Sequence, residues 1–171
     1  MACALTTGRK IPCKSAFGGI KTVYMADFPV VAVIDADQTI SAFTGSPVWF
    51  EFDLKGTSSL ETTITSSRDN GTTFYTQTLN MTLTYLDNAT KNELQLIAVA
   101  RPVVVVEDYY GNQFLCGLEN GMEVTGGTIV TGSAAGDLSG FTLTMEGMEE
   151  TAPYFMDAGV VVASAAQIVP N

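Results

Sequence analysis

Residues 87–101, DNATKNELQLIAVAR, form the one stretch whose apolar side chains recur with helical spacing, and this decides the fold class. Leu94, Ile97 and Ala98 would share one side of such a helix. The rest of the chain alternates or runs in the manner of β-strands. A single short helix with one apolar stripe has only β-sheet to cover, so the sequence predicts a mainly β protein.

We predict the helix over residues 90–101. Thr90 is expected to be its N-cap, with Glu93 three residues later completing a capping box. Pro102 would end the helix, because the residue before a proline is pushed out of the α region. The apolar stripe is expected to cover one of the sheets.

Apolar and polar residues alternate most cleanly in VWFEFDL, residues 48–54. This pattern places the four even-numbered residues on a buried face and Trp49 on the opposite one. Residues 102–107, PVVVVE, form a continuous apolar run, which predicts a strand buried on both faces. Further strands are expected over residues 20–28, 30–34, 113–118, 122–131, 140–148, 152–156 and 159–169.

Residues 58–86 are predicted to form one long β-hairpin. Asn70-Gly71 is a strong turn signal between two threonine-rich segments. Threonine has the β-branched side chain that strands favour, yet it leaves the face of the strand polar. The tip of the hairpin has little core of its own, so it is either a mobile loop or a docking element. We favour docking on another subunit, because a projecting hairpin is otherwise an exposed edge.

Together these elements predict a single domain over residues 1–171 with two packed antiparallel sheets, as a β-sandwich or partly open barrel. One α-helix flanks the sheets, and the long hairpin protrudes from them. Residues 1–19 form an N-terminal arm that carries Arg9, Lys10 and Lys14. This basic arm is either a strap onto a neighbouring subunit or a disordered end.

The chain is acidic, with a formal net charge of −10. Binding to a nucleic-acid backbone depends on Lys and Arg that neutralise phosphates, so this charge argues against it. A surface that DNA passes without sticking is compatible with the charge, because like charges repel. Only 15% of the residues are charged and 46% are apolar, which fits either a subunit with extensive protein contacts or an ordinary acidic β domain.

The residues needed for common catalytic and metal sites are missing. There is no histidine, and the three cysteines are odd in number and lack a CxxC spacing, so neither a triad, a zinc site nor a disulfide framework is expected. Asp35 and Asp37 fit a turn better than a weak cation site, and Glu149 and Glu150 would point to opposite faces of a strand. We therefore predict no enzyme, no catalytic residue, no metal and no cofactor.

Two parts of the chain resemble phage virion proteins. Residues 91–155 join a helix to an apolar strand, a D-YYGN-Q hairpin, a Gly-rich stretch and the segment GDLSGFTLTMEGMEETAPYF. This arrangement resembles the tail tube proteins of tailed bacteriophages and their relatives in contractile injection machines. Residues 8–28, GRKIPCKSAFGGIKTVYMADF, are similar to the start of small virion proteins of phages that infect Bacteroidetes.

The resemblance implies that six copies form a ring and that rings stack into a tail tube, a channel through which DNA passes during ejection. The long hairpin and the terminal arms would bridge neighbours. The interface residues expected on this basis are Arg9, Lys10, Lys14, Arg68, Asp69, Asn70, Gly71 and Thr72. The protein would belong to the virion tail, be assembled in the host bacterial cytoplasm, and contact itself and other phage tail or neck proteins. DNA would not be bound specifically, and no membrane would be involved.

Two alternatives stay open. A head–tail connector or tail completion protein of the same fold would form one ring rather than a tube. A β-sandwich module, such as a capsid decoration or carbohydrate-binding domain, would expose aromatic residues near its loops. The candidates for such residues are Trp49, Tyr109 and Tyr110.

Overall fold

The computed structural model describes residues 7–9, 17–54, 57–157 and 159–160. These residues contain one helix and eleven strands. In chain order the elements are β1 (Ile20–Ala26), β2 (Val31–Ile34), β3 (Thr39–Thr44), β4 (Phe50–Asp53), β5 (Ser59–Ser67), β6 (Thr72–Thr84), α1 (Asn88–Ile97), β7 (Val103–Asp108), β8 (Gln113–Cys116), β9 (Glu123–Val130), β10 (Gly140–Glu149) and β11 (Tyr154–Met156).

The strands form two sheets, and neither closes into a barrel within the described residues. The large sheet has seven strands in the order β2-β3-β11-β8-β7-β1-β4, and the small sheet has four in the order β5-β6-β10-β9. The predicted mainly β fold with two sheets and one helix is confirmed. The expectation that both sheets are antiparallel is wrong for the large one, because β11 pairs with β3 in parallel. This short pair forms where the chain crosses back from the small sheet after β10.

The main core lies between the two sheets. Alternate residues of β6 and β10 point into it from the small sheet, and their register sets Phe141 beside Leu83 and Met145 beside Leu79. Val104 of β7 faces them from the large sheet. Because most of these inward positions are apolar, burial fixes which face of the small sheet points outward.

β7 is buried on both faces, as its continuous apolar sequence predicts. Val104 faces the main core, whereas Val103 and Val105 belong to a second cluster on the opposite face of the large sheet. Trp49 is only 3% exposed in this second cluster, with its ring centroid 5.0 Å from that of Phe43. The large sheet is therefore covered on both sides.

The strand predicted over residues 48–54 is shorter, because β4 begins only at Phe50. Leu54 is buried and Phe52 packs against the main core, as the alternation predicts. Phe50 is exposed instead, and Trp49 is buried. The prediction assumed that one face of this strand is solvated, and it fails because the large sheet buries residues on both faces.

The helix begins two residues earlier and ends four residues sooner than predicted. Its N-cap is Asp87, whose carboxylate accepts a hydrogen bond from the Thr90 backbone N–H at 3.0 Å. The predicted Thr90 cap is therefore wrong, because an aspartate three residues before already satisfies that N–H. Leu94 is buried and Ile97 packs against the main core, while Ala98 is exposed. The helix thus covers the sheets with a shorter stripe than predicted.

β5 and β6 form the long hairpin predicted over residues 58–86, in unbroken register. Gly71 closes its turn with a φ of +64°, which glycine adopts without strain. β3 was not predicted, because its sequence TISAFT has no clean alternation. The strand predicted over residues 159–169 lies outside the described residues except at 159–160, which are not in a strand.

Candidate assembly surface

The side of the small sheet that points away from the main core carries mostly short polar side chains. We call this surface the polar face. Side chains alternate along a strand, so the register assigns each residue to one face. The outward positions are Ser59, Glu61, Thr63, Thr65 and Ser67 of β5, Thr72, Phe74, Thr76, Thr78, Asn80, Thr82 and Thr84 of β6, Glu123, Gly126, Thr128 and Val130 of β9, and Thr142, Thr144, Glu146 and Met148 of β10. None of these positions, all of which the structure describes, carries Lys or Arg.

Three glutamates cross the polar face in one row. Glu61 on β5 and Glu146 on β10 both stand opposite Thr78 on β6, and Glu146 stands opposite Glu123 on β9. Glu123 also forms an ion pair with Arg101, with Nε and Oε1 3.1 Å apart. Like charges on directly opposed residues reduce the stability of a sheet. Glu123 and Glu146 are the directly opposed pair, and the ion pair with Arg101 accounts for Glu123 but not for Glu146.

Hydroxyl and amide groups connect the strands on the same face. The Oγ1 atoms of Thr128 and Thr142 are 2.6 Å apart, and Thr144 Oγ1 donates to Asn80 Oδ1 at 2.9 Å. These contacts satisfy polar side chains without burying them. The polar face is therefore mostly polar, and its larger apolar side chains are Phe74, Val130 and Met148, the last of which is 59% exposed.

Within the part of the chain that the structure describes, the small sheet ends in two long free edges, β5 with nine residues and β9 with eight. Neither strand contains Lys, Arg or Pro, although each carries a glutamate and β9 has one β-bulge. The edges of the large sheet, β2 and β4, have only four residues each. Long edges of this kind favour pairing with another chain.

The five interface residues predicted at the hairpin tip lie together in the turn between β5 and β6. Residues 68–72 are all exposed, and the backbone N–H of Asn70 donates to Ser67 Oγ at 3.3 Å. Of the predicted arm residues, Arg9 is exposed, whereas Lys10 and Lys14 lie outside the described residues. Whether any of these residues forms an interface stays a prediction.

A groove of about 700 Å³ runs along β5, between the open ends of the two sheets. Its wall on the small sheet contains Leu60, Thr62 and Ile64, and its wall on the large sheet contains Phe114 and Phe155. Ile64 is 63% exposed and Phe155 is 55% exposed. The groove is therefore an apolar surface open to solvent, on the core side of an unpaired strand.

Two buried polar side chains are explained by structure. Glu149 accepts hydrogen bonds from the backbone N–H groups of Glu119 and Asn120, each at 3.0 Å, and burial raises the pKa of its carboxyl group. Glu150 is exposed, so these two acids face opposite ways as predicted. Gln77 accepts from a backbone N–H at 3.0 Å inside the core. The sequence analysis missed both roles. Gln77 lies an even number of residues from the inward-facing Leu79 and Met81, so its burial could have been predicted from the alternation along β6.

The structure also accounts for the two aspartates and the cysteine that could have formed a cation site or a reactive thiol. Asp35 Oδ1 accepts from the backbone N–H groups of Asp37 and Thr39 at 3.0 and 2.9 Å, so these acids form a turn as predicted. Burial raises the pKa of the Cys116 thiol to about 12, which leaves it unreactive. The part of the chain that the structure describes contains no group of three or more His, Cys, Asp or Glu able to hold a metal ion.

Of the three aromatic residues that a binding module would expose, one is buried and two are exposed. Trp49 is buried in the second cluster. Tyr109 is 46% exposed and packs edge-on against Phe17 with ring centroids 5.4 Å apart, and Tyr110 is 61% exposed in the turn after β7. The burial of Trp49 removes one of the residues on which that alternative depends.

Comparison with known proteins adds no relative from which a function could be carried over. The chain matches no family model, no curated protein and no solved structure. Within the described residues, no helix is long and apolar enough to cross a membrane.

Proposed function

We propose that this protein is a structural subunit of a phage tail tube, which self-assembles into stacked hexameric rings around a channel for DNA. The observation that carries the proposal is the polar face, an acidic surface whose strands carry no Lys or Arg and which is bounded, within the described residues, by two long free strand edges. In the assembly this face would line the channel. The large sheet and α1 would lie outside it.

The strand directions support ring closure. Within the small sheet each neighbouring pair is antiparallel, so β5 and β9, at opposite edges, run in opposite directions. Copies related by rotation about one axis keep the same strand directions relative to that axis. The β9 edge of one copy would therefore meet the β5 edge of the next in an antiparallel pair. Such head-to-tail contacts generate a ring when the rotation closes.

The size of the resulting channel suits DNA. Six copies would supply twenty-four strands from their four-stranded sheets. With a strand spacing of about 4.8 Å and a tilt of roughly 35–45°, the backbone diameter would be roughly 45–50 Å. Side chains would narrow this by about 10 Å, which leaves room for a duplex.

The charges of the face support passage rather than binding. Each copy would present Glu61 and Glu146 to the lumen, and Arg101 would neutralise Glu123 at the edge of the face. Phosphates approaching this surface would be repelled, and no counterions would be released to favour adhesion. The protein would thus act in the virion tail after assembly with itself and other tail or neck proteins in the host cytoplasm.

Negative-stain electron microscopy across a concentration series tests the proposal. Long hollow tubes are the expected result. Isolated rings that never stack would favour the alternative, a head–tail connector or tail completion protein. A strict monomer at high concentration would reject both assemblies and favour a decoration or binding module, which the burial of Trp49 does not support.

The assignment of the polar face to the lumen has its own test. The double variant Glu61→Lys, Glu146→Lys should form tubes that retain short duplex DNA, whereas wild-type tubes should not. The matched control Glu119→Lys, Glu150→Lys changes the net charge equally at exposed positions outside the face. Equal DNA retention by both variants would show that the face does not line the channel.

A further inference from the structure

Two isoleucines on the core side of the small sheet are exposed at its opposite edges. Ile64 of β5 stands opposite Tyr75, and Ile129 of β9 stands opposite the buried Phe141, so both share the inward face of the sheet. Ile64 is nevertheless 63% exposed and Ile129 is 65% exposed. Inward-facing isoleucines with this much exposure indicate that the sandwich is left open at both sides.

The open side at β5 is the apolar groove. Ile64 forms part of its wall, together with Leu60 and Thr62 of the same strand, and the phenylalanines of the large sheet form the other wall. The open side at β9 presents Ile129 to solvent. One edge thus has a concave apolar surface, and the other has a projecting apolar side chain.

We propose that Ile129 of one copy inserts into the groove along β5 of the next copy. This inference rests on the proposed self-assembly and names the apolar contact that accompanies the pairing of strand edges. The occupant of the groove is a second copy of this chain. The contact is heterologous, because the groove and Ile129 lie at different edges.

The parity of the strands determines which side chains meet. When β9 joins the edge of β5, the sheet continues and its two faces are preserved. Ile129 then lies on the same face as Leu60, Thr62 and Ile64, which is the face that the groove occupies. A β-bulge interrupts β9 nearer its start, opposite Thr144 and Met145, so Ile129 lies in the regular half of the strand.

The contact cannot form within one chain. β5 and β9 are separated by β6 and β10, which is three strand spacings or roughly 14 Å. Both isoleucines would lose much of their exposed apolar area on pairing. Removing one of them should therefore weaken assembly by roughly tenfold.

Disulfide trapping between copies tests the contact. Cys3 and Cys13 are first replaced by serine, and Cys116 is kept because it is fully buried. Ile129→Cys is then combined in one chain with Thr62→Cys or Ile64→Cys. A disulfide needs Cα atoms within about 7 Å, so any crosslink must join two chains.

The matched controls combine Ile129→Cys with Thr63→Cys or Thr65→Cys, which place the second thiol on the polar face of the same strand. Under mild oxidation we expect a ladder of crosslinked multimers for at least one inward pair and none for the outward pairs. Whatever the register at the seam, only the inward thiols share a face with Ile129→Cys, because side chains alternate along each strand.

Two outcomes would overturn the inference in different ways. If rings or tubes form but the inward pairs give no ladder, or inward and outward pairs crosslink equally, the groove is not filled by Ile129 and the proposed function stands. If the wild-type chain does not assemble at any concentration, the proposed function fails and the contact fails with it. Ile129→Ser provides an independent readout, with a roughly tenfold higher concentration expected at half-assembly.

Discussion

Replacing Glu149 by glutamine tests how a buried carboxylate holds the turn after β8. Glu149 is 3% exposed, and its two oxygens accept from the backbone N–H groups of Glu119 and Asn120 at 3.0 Å each. Asn120 also donates from its side chain to the Met148 carbonyl at 2.8 Å, which ties the same turn to β10. Glutamine keeps the shape of the side chain but has only one oxygen. One of the two N–H groups would then face an NH₂ group and lose its acceptor.

The expected loss of stability follows from that unsatisfied donor. A buried donor without a partner costs about 1–3 kcal/mol of unfolding free energy. For a chain of this size each kcal/mol corresponds to roughly 2–4 °C in Tm. We expect Glu149→Gln to lower Tm at neutral pH by a few degrees to about ten. The exposed neighbour gives the control, because Glu150→Gln should change the unfolding free energy by less than about 0.5 kcal/mol.

The difference in unfolding free energy between wild type and Glu149→Gln should also depend on pH, which gives a second test. Burial raises the pKa of Glu149 above its ordinary value of 4.5 in spite of the two hydrogen bonds. A carboxyl group with a raised pKa contributes stability that is fully present below the unfolded pKa and is lost as pH rises through the folded pKa. The protonated carboxyl group still has two oxygens that can accept from the two N–H groups, whereas glutamine has only one and does not titrate. The difference in unfolding free energy between wild type and variant should therefore widen as pH falls toward 4.5.

Urea unfolding followed by fluorescence measures both effects, because Trp49 is the single tryptophan and is buried. The measurements are made at low protein concentration and repeated at several pH values, with the control variant in parallel. A variant as stable as wild type at neutral pH would refute the role of the two hydrogen bonds. If the difference in unfolding free energy narrows as pH falls, the argument that burial raises the pKa of Glu149 is refuted.

Three further predictions concern other parts of the molecule. Trp49→Ala should lower the unfolding free energy by about 3–5 kcal/mol, whereas Tyr110→Ala, at an exposed turn, should change it by less than about 0.5 kcal/mol. Equal effects in urea unfolding followed by circular dichroism, which does not need the single tryptophan, would contradict the packing of the second cluster. Gly140→Ala should lose about 1–3 kcal/mol, because its Cβ would meet a backbone oxygen of β6, while Gly136→Ala has open space and should melt like wild type. Deletion of residues 67–72 should leave the melting curve of the monomer nearly unchanged but prevent rings from stacking in electron micrographs, and tubes of normal length would exclude docking of the tip.

The sequence predicted correctly those elements that local sequence patterns determine, namely the hairpin of β5 and β6 and the buried strand β7. The hairpin of β5 and β6 follows from Asn70-Gly71 and from β-branched residues on both sides, which local chemistry determines. The burial of β7 on both faces follows from its continuous valines. Such features depend on neighbours in the chain, so they can be read without knowing the topology.

The errors arise where burial depends on distant partners. Trp49 was predicted to face outward, because alternation cannot reveal that a second cluster covers the far side of the large sheet. The N-cap was placed at Thr90 because Asp87 and Thr90 are both good capping residues, and only the backbone geometry decides between them. The groove was not predicted at all, since it is formed by residues far apart in sequence.

The glutamate row is where folding and assembly make different demands on the same residues. Opposed like charges reduce sheet stability by roughly 0.2–1 kcal/mol per pair, and threonine would fit at Glu146 as it does at its neighbours. The sheet tolerates the row because the opposite face of β6 and β10 is anchored in the main core along ten register pairs. A channel surface that DNA must leave freely does require a net negative charge, which Glu61 and Glu146 supply even though Arg101 pairs with Glu123. We infer that the glutamates serve the assembled state, because they oppose the stability of the chain that carries them.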